Sequence, residues 1–246
     1  MTNVKIALIT GATRGIGYET ARQLADLGVH VILSGRCPVR VEQAVKKCML
    51  EGLSVEGCII DVTDEQTIVA AAEWAQDKYG RVDILVNNAA IRIEEYGRKP
   101  SQQSIQDWNK TFQTNLFGIV AVTKAFLPLL CKSQSGRIVN VSSLLASLGT
   151  HTNPDSYAYS DTFKSLPAYS ASKSALNSWT IHLAYELRGT PIKVNSVHPG
   201  YTRTDMNDGA GDISIEDGAR TSVAMAMLGF DGETGSYVHM GEVLPW

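Results

Sequence analysis

The sequence has few cysteines, little net charge and no long apolar run. Each shortage excludes something. Only four cysteines stand among 246 residues. Cys37, Cys48, Cys58 and Cys131 form no CxxC pair and have no histidine at zinc-ligand spacing. They read as reduced thiols, not as a disulfide frame or a metal site. Lysine and arginine number 22 and aspartate and glutamate 25, a net charge of −3. A chain so nearly neutral lacks the basic stripe of a dedicated nucleic-acid binder. No stretch approaches the roughly 18 uninterrupted apolar residues of a membrane span. The start runs straight from Met1 into Val4–Ile9, with no signal h-region. A cytoplasmic protein with no membrane and no nucleic-acid partner is therefore expected.

Other motifs are missing too. There is no Gly-x-Ser-x-Gly elbow, no Gly-x4-Gly-Lys loop and no HExxH, and His30, His151, His182, His198 and His239 are scattered. These absences disfavour a serine hydrolase, a P-loop nucleotidase and a zinc protease. What is present is an ordinary folded composition, 44% hydrophobic and 19% charged.

Short apolar runs alternate with segments of helical length. The runs are Lys5–Thr10, Val29–Ser34, Val55–Ile60, Ile84–Asn87, Arg137–Val141, Lys193–His198 and Ser236–His239. Continuous apolar runs of this kind suit strands buried on both faces of a parallel sheet. Helices are expected over Ile16–Leu27 and Val39–Glu51, and from a capping box at Thr63 to Tyr79. Further starts lie at Ser104, for a long helix towards Cys131, and at Ser214. The apolar stretch Ile119–Leu130 reads as a core helix. The pattern predicts one doubly wound α/β Rossmann-type domain over residues 1–246, with seven parallel strands and helices on both faces. Residues 144–166 and 200–213 break the rhythm after strand carboxyl ends, where such sheets bind ligands. They are expected to form a substrate mouth.

The turn Thr10–Gly17 follows the first strand and opens the first helix. Its glycines, Gly11, Gly15 and Gly17, allow close backbone approach to a pyrophosphate at a helix N-terminus. NAD sites usually place an acid about 20 residues past this turn for the ribose 2′-OH. Here Val31–Arg36 contains no acid; Arg36 stands there, and Arg14 sits inside the turn. Guanidinium forks suit a 2′-phosphate, so NADP(H) is expected as cofactor. Further on, Tyr169 and Lys173 lie at i and i+4, on one face of a helix. Tyr169 alone among nine tyrosines has a lysine four residues on.

These residues, with several others in order, resemble the short-chain dehydrogenase/reductase family along essentially the whole chain. The others are Asp61-Val62, Asn87-Asn88-Ala89-Ala90, Asn115 in Asn115–Gly118, Ser143 ending Asn140–Ser143, and Pro199-Gly200. The resemblance implies that Tyr169 is the general acid and that Ser143 holds the carbonyl oxygen. It implies that Lys173 lowers the phenol's pKa and binds the nicotinamide ribose, and that Asn115 anchors a proton-supplying water. Gly11, Thr13, Arg14, Gly15, Ile16, Gly17 and Arg36 are then cofactor residues, with Tyr169 and Lys173. Asp61 and Val62 would frame the adenine, Asn88 and Ala89 the adenosine ribose, and Pro199, Gly200 and Thr202 the nicotinamide end.

Two departures stand out. Ala90 occupies a position where the family more often has glycine. Ser143 and Tyr169 are 26 positions apart, about twice the family's usual spacing. In this the chain resembles the carbonyl-reductase branch, as does its ending Gly241–Trp246. An insertion there is expected to cover the mouth and to favour a monomer, with a dimer next. Tyr157, Tyr159, Phe163, Tyr201, Leu144, Leu145 and Met206 could wall an apolar pocket. The implied activity is NADPH-dependent reduction of a ketone or aldehyde, on a fairly apolar small-molecule substrate. One alternative is a 3-oxoacyl carrier-protein reductase, whose docking surface would use Arg92, Arg98 and Lys99, offset by Glu94 and Glu95. Another is a non-catalytic NADP(H)-binding regulator.

Overall fold

A computed structural model describes residues 4–246. Its centre is one sheet with strand order β3-β2-β1-β4-β5-β6-β7-β8. The strands β1 (Ile6–Ile9), β2 (His30–Gly35), β3 (Val55–Ile59), β4 (Ile84–Asn87), β5 (Arg137–Val141), β6 (Lys193–Val197) and β7 (Tyr237–His239) are parallel. The short β8 (Glu242–Val243) pairs antiparallel with β7. The sheet thus has eight strands, not the seven expected. A two-residue strand carries no readable alternation.

Side chains alternate between the sheet's two faces. Ala7, Ile9, Ile84 and Val86 face α1 (Gly15–Asp26), α2 (Pro38–Leu50) and α9 (Ile215–Ala226), meeting Leu24, Ala44 and Val223. Leu8 and Leu85 face α3 (Glu65–Tyr79), α5 (Gly118–Leu130) and α8 (Pro167–Glu186), meeting Ile68, Phe126 and Leu183. Burial on both sides explains why these strands read as unbroken apolar runs. The cap of α3 is Asp64, not Thr63: Asp64 accepts from Gln66 N, while Thr63 N donates to Asp61.

The long helix splits. Ser104 caps α4 (Ile105–Phe112), and a π turn, Gln113–Phe117, joins it to α5. By length and composition this 26-residue stretch could cross a membrane, but Val122, Phe126, Leu129 and Leu130 are buried under the sheet. The 144–166 segment carries a 3-10 turn (Leu144–Ala146) and two short helices, α6 (Leu148–Thr152) and α7 (Asp161–Lys164). Between β1 and β4 the strand order reverses. The crevice at such a switch point, beyond the strand carboxyl ends, is where open α/β sheets bind ligands.

Candidate active site

A cleft of about 620 Å³ opens at that point. Its walls include Gly11, Thr13, Arg14, Gly15, Ile16, Gly17, Arg36, Asp61, Val62, Asn88 and Ala89, every residue expected at the phosphate and adenosine end. The turn needs its glycines. Gly11 has φ +62, and a Cβ there would stand 2.8 Å from Ala89 Cα. A Cβ on Gly17 would lie 2.3 Å from Asn88 Nδ2 and 2.7 Å from Gly11 O. Asn88 ties the turn to the β4 end, its amide donating to Thr10 O and Gly11 O at 3.0 Å each. Arg14 is the N-cap of α1, with no side-chain cap and no acid in the first turn, so nothing on the helix competes with an anion there. The cradle fits a dinucleotide: Gly11 and Gly17 keep side chains off the closest part of the turn, and no side chain caps the start of α1.

At the outer end Arg36 is exposed, and Arg40 lines the same wall. Sequence reading missed Arg40, although it lies four residues past Arg36, on the first turns of α2. Arg14 is not free. Its guanidinium meets Asp205, in the 200–213 loop, at 2.7 Å, with both side chains well exposed.

A second, smaller cavity of about 140 Å³ adjoins the cleft, sharing Ile16, Asn88, Ala90, Arg92, Thr204 and Met206 with it. Ser143, Tyr169, Lys173, Pro199, Gly200 and Thr202 line it. Lys173 is 1% exposed and donates to Val141 O at 2.7 Å. Its ammonium lies 5.9 Å from the Tyr169 ring centroid. Burial pulls this lysine down to about 7. Burial pushes the Tyr169 phenol up, against a hydrogen bond from Ser143 and the charge of Arg92. Asn115 sits in the π turn, fully buried. Its amide donates to Ile91 O (2.9 Å) and Ser172 Oγ (3.1 Å), and its Oδ1 accepts from Ile91 N at 2.8 Å. π turns recur at functional sites. Thr202 is buried, and its hydroxyl donates to Pro199 O at 3.0 Å.

One buried acid was not anticipated here. Glu94, read from sequence as a surface charge, is 3% exposed. Pro167 occupies the first turn of α8 and the N-cap Leu166 offers no side-chain acceptor, so the first amides need a partner. Glu94 supplies it, accepting from Ala168 N at 2.6 Å and from Tyr169 N at 3.1 Å. Burial raises its carboxyl above the usual range, against the pull of those two amides. No short motif joins positions 94 and 169, which is why the contact was unreadable.

The mouth is aromatic. Tyr157, from the 144–166 segment, stacks on Tyr201 of the 200–213 loop at 6.1 Å and 26°. Phe163 packs edge-on against both. Leu145 and Met206 complete the wall. Tyr159 and Leu144 do not line the cavity; Tyr159 is exposed beneath Lys164. Arg92 ties its own segment to the 200–213 loop, donating to Met206 O at 2.6 Å and to Glu94 O at 3.2 Å. His198, buried behind the aromatic wall, is pulled down to about 3 by burial and by His239, so it is neutral.

A strand-switch cleft with a glycine turn, next to a Tyr-x3-Lys pair, defines a nucleotide-dependent oxidoreductase. The family model for the short chain dehydrogenase matches residues 5–212. A short-chain dehydrogenase of Penicillium roqueforti, anuI, is 37% identical over 228 residues, covering 91% of this chain and 89% of its own. The (+)-neomenthol dehydrogenase of Capsicum annuum is 30% identical across 98% of both chains. The solved NADPH-bound carbonyl reductase from chicken fatty liver superposes with a TM-score of 0.85 at 25% identity, over 99% of this chain and 100% of that one. The chain belongs to the short-chain dehydrogenase/reductase family.

Proposed function

We propose that the protein is an NADPH-dependent carbonyl reductase, acting as a monomer on ketones or aldehydes. One observation carries the reading: Tyr169, Ser143 and Lys173 share one wall where the dinucleotide-sized cleft meets a small aromatic cavity. The nicotinamide, when bound, supplies the hydride. Tyr169 gives its hydroxyl proton to the substrate oxygen as charge grows there. Ser143 donates to the same oxygen and stabilises that charge. Lys173, held against Val141 O, puts a cation beside the phenol in its protonated form and then favours the ionised phenol. Asn115 keeps one Oδ1 lone pair uncommitted, a place for the water that returns the proton. Thr202 has its hydrogen on Pro199 O, so it meets a carboxamide as acceptor.

The preference for NADPH rests on Arg36 and Arg40 at the outer end of the cleft and on a second strand without an acid. The NADPH in the chicken structure supports it by likeness. Of the basic residues that could dock an acyl carrier protein, Arg92 is held by main-chain carbonyls and Arg98 faces Glu95 at 3.7 Å, which leaves Lys99 exposed.

The test follows NADPH and NADH absorbance with a panel of ketones and aldehydes. NADPH is expected to be consumed well above NADH. Tyr169→Phe is expected to lower kcat by about 10²-fold or more, the range of general acid catalysis. Turnover unchanged in that variant would remove Tyr169 from the chemistry.

A further inference from the structure

The hydrogen atoms around His198 can be placed by elimination. Two main-chain amides, Leu144 N at 3.2 Å and Gly200 N at 3.3 Å, donate to its Nδ1. A nitrogen that accepts from two amides carries no hydrogen. Buried and neutral, the ring holds its one hydrogen on Nε2. That nitrogen lies 3.2 Å from Tyr157 Oη, so His198 is the donor and Tyr157 the acceptor. The phenol's own hydrogen must then point elsewhere. Among the described residues no acceptor takes it, and Tyr157 lines the small cavity together with Tyr169 and Ser143. Its ring cannot swing freely, because Tyr201 and Phe163 pack against it.

We propose that Tyr157 is a second hydroxyl donor to the substrate, selecting ketones that carry another oxygen acceptor near the reacting carbonyl. The assignment rests on the reductase reading above. Tyr169 and Ser143 serve the carbonyl oxygen in that reading; Tyr157 takes the neighbouring ether, ester or carbonyl oxygen. The stacked Tyr157 and Tyr201 rings offer an apolar face to a planar or cyclic group on the same molecule. Binding energy comes from a fixed donor meeting an acceptor. Tyr157 is 40% exposed, so a substrate lacking that oxygen leaves the hydroxyl to water and forgoes only the net worth of one hydrogen bond, which sets the size of the discrimination. The sequence could not show this, because the link runs from the 144–166 segment through His198 to two amides of different loops.

The test uses a matched ketone pair, 2-methoxyacetophenone and butyrophenone, in which one ether oxygen replaces one methylene. The ratio of their kcat/KM values is measured for the wild type and for Tyr157→Phe. The variant is expected to cut the ratio about five- to tenfold, the worth of one hydrogen bond, through loss on the methoxy ketone alone. An unchanged ratio overturns the proposal, whether the two rates hold steady or fall together. Calorimetric binding of the same pair to both proteins gives the ratio without turnover. Binding that depends on Tyr157 in a protein that reduces neither ketone would remove the reductase reading and leave the donor assignment standing. Equal binding of the pair by both proteins would remove the assignment.

Discussion

The cofactor cleft and the substrate mouth are built by different means. The cleft is made of backbone: glycines without Cβ atoms, a helix start that no side chain caps, and one asparagine tying the turn to β4. The mouth is made of side chains from segments far apart in sequence, with Tyr157 against Tyr201, His198 behind them, and Arg92 bridging to Met206. Backbone devices tolerate no substitution, because the chain path itself would have to move. Side-chain walls can be recut without disturbing the path. That division lets one scaffold keep its cofactor while its substrate varies.

The largest expected effect breaks the cleft. In Gly17→Ala the new methyl would sit 2.3 Å from Asn88 Nδ2 and 2.7 Å from Gly11 O. Either the turn shifts or Asn88 lets go. A displacement of that size is expected to cost on the order of a hundredfold in kcat/KM for the cofactor, and about 1–3 kcal/mol of stability from overpacking. Phe163→Leu, in the mouth, is the contrast. It trims one ring of a partly exposed wall and is expected to cost under about 1.5 kcal/mol, with changed substrate ranking and an unchanged cofactor KM. Urea denaturation and cofactor titration of both variants check the pair. Equal losses in cofactor affinity would erase the distinction.

The next effect lies where the two regions meet. Lys173 is fully buried, its ammonium bonded to the Val141 carbonyl, and its pKa falls to about 7. An unfolded lysine titrates near 10.4. Between those values the unfolded chain binds the extra proton, so stability of the ligand-free protein rises with pH and is lost as pH falls towards 7. The slope from this residue approaches about 1.4 kcal/mol per pH unit. Denaturation at pH 7, 8 and 9 is expected to show the rise in the wild type and to lose it in Lys173→Met. That variant is also expected to be the more stable of the two near pH 7 and to have lost turnover. The same slope in both proteins would mean that the lysine is solvated.

The same contrast explains what could be read in advance. Ile9, Leu33 and Val86 are buried on one face of the sheet and Leu8, Ile32 and Leu85 on the other, so the strands stand in unbroken apolar runs and were legible. The glycine turn and the Tyr169/Lys173 pair are local patterns, legible for that reason. Glu94 is different. It holds the first amides of α8, including that of Tyr169 itself, from 75 residues away. The π turn at Asn115 leaves no mark either, since its side-chain bonds run to Ile91 and Ser172. The stop of β8 and the shift of the α3 cap from Thr63 to Asp64 involve one or two residues each, below the length at which periodicity carries information.

The smallest effect concerns an ion pair that joins the two regions. Arg14, in the glycine turn, and Asp205, in the mouth loop, meet at 2.7 Å on the surface, 65% and 72% exposed. A pair so exposed contributes little to stability, within about 1 kcal/mol. Its effect on the cofactor is the sharper measure. If a 2′-phosphate recruits Arg14, it must draw the guanidinium away from Asp205. Asp205→Asn removes that competition and is expected to lower the KM for NADPH about two- to fivefold, within the worth of an exposed pair, leaving the KM for NADH unchanged. High salt is expected to narrow the gap, because the competing charges are screened. A rise in the NADPH KM would mean the reverse: that Asp205 holds Arg14 in its binding position, and that the mouth helps to build the cleft.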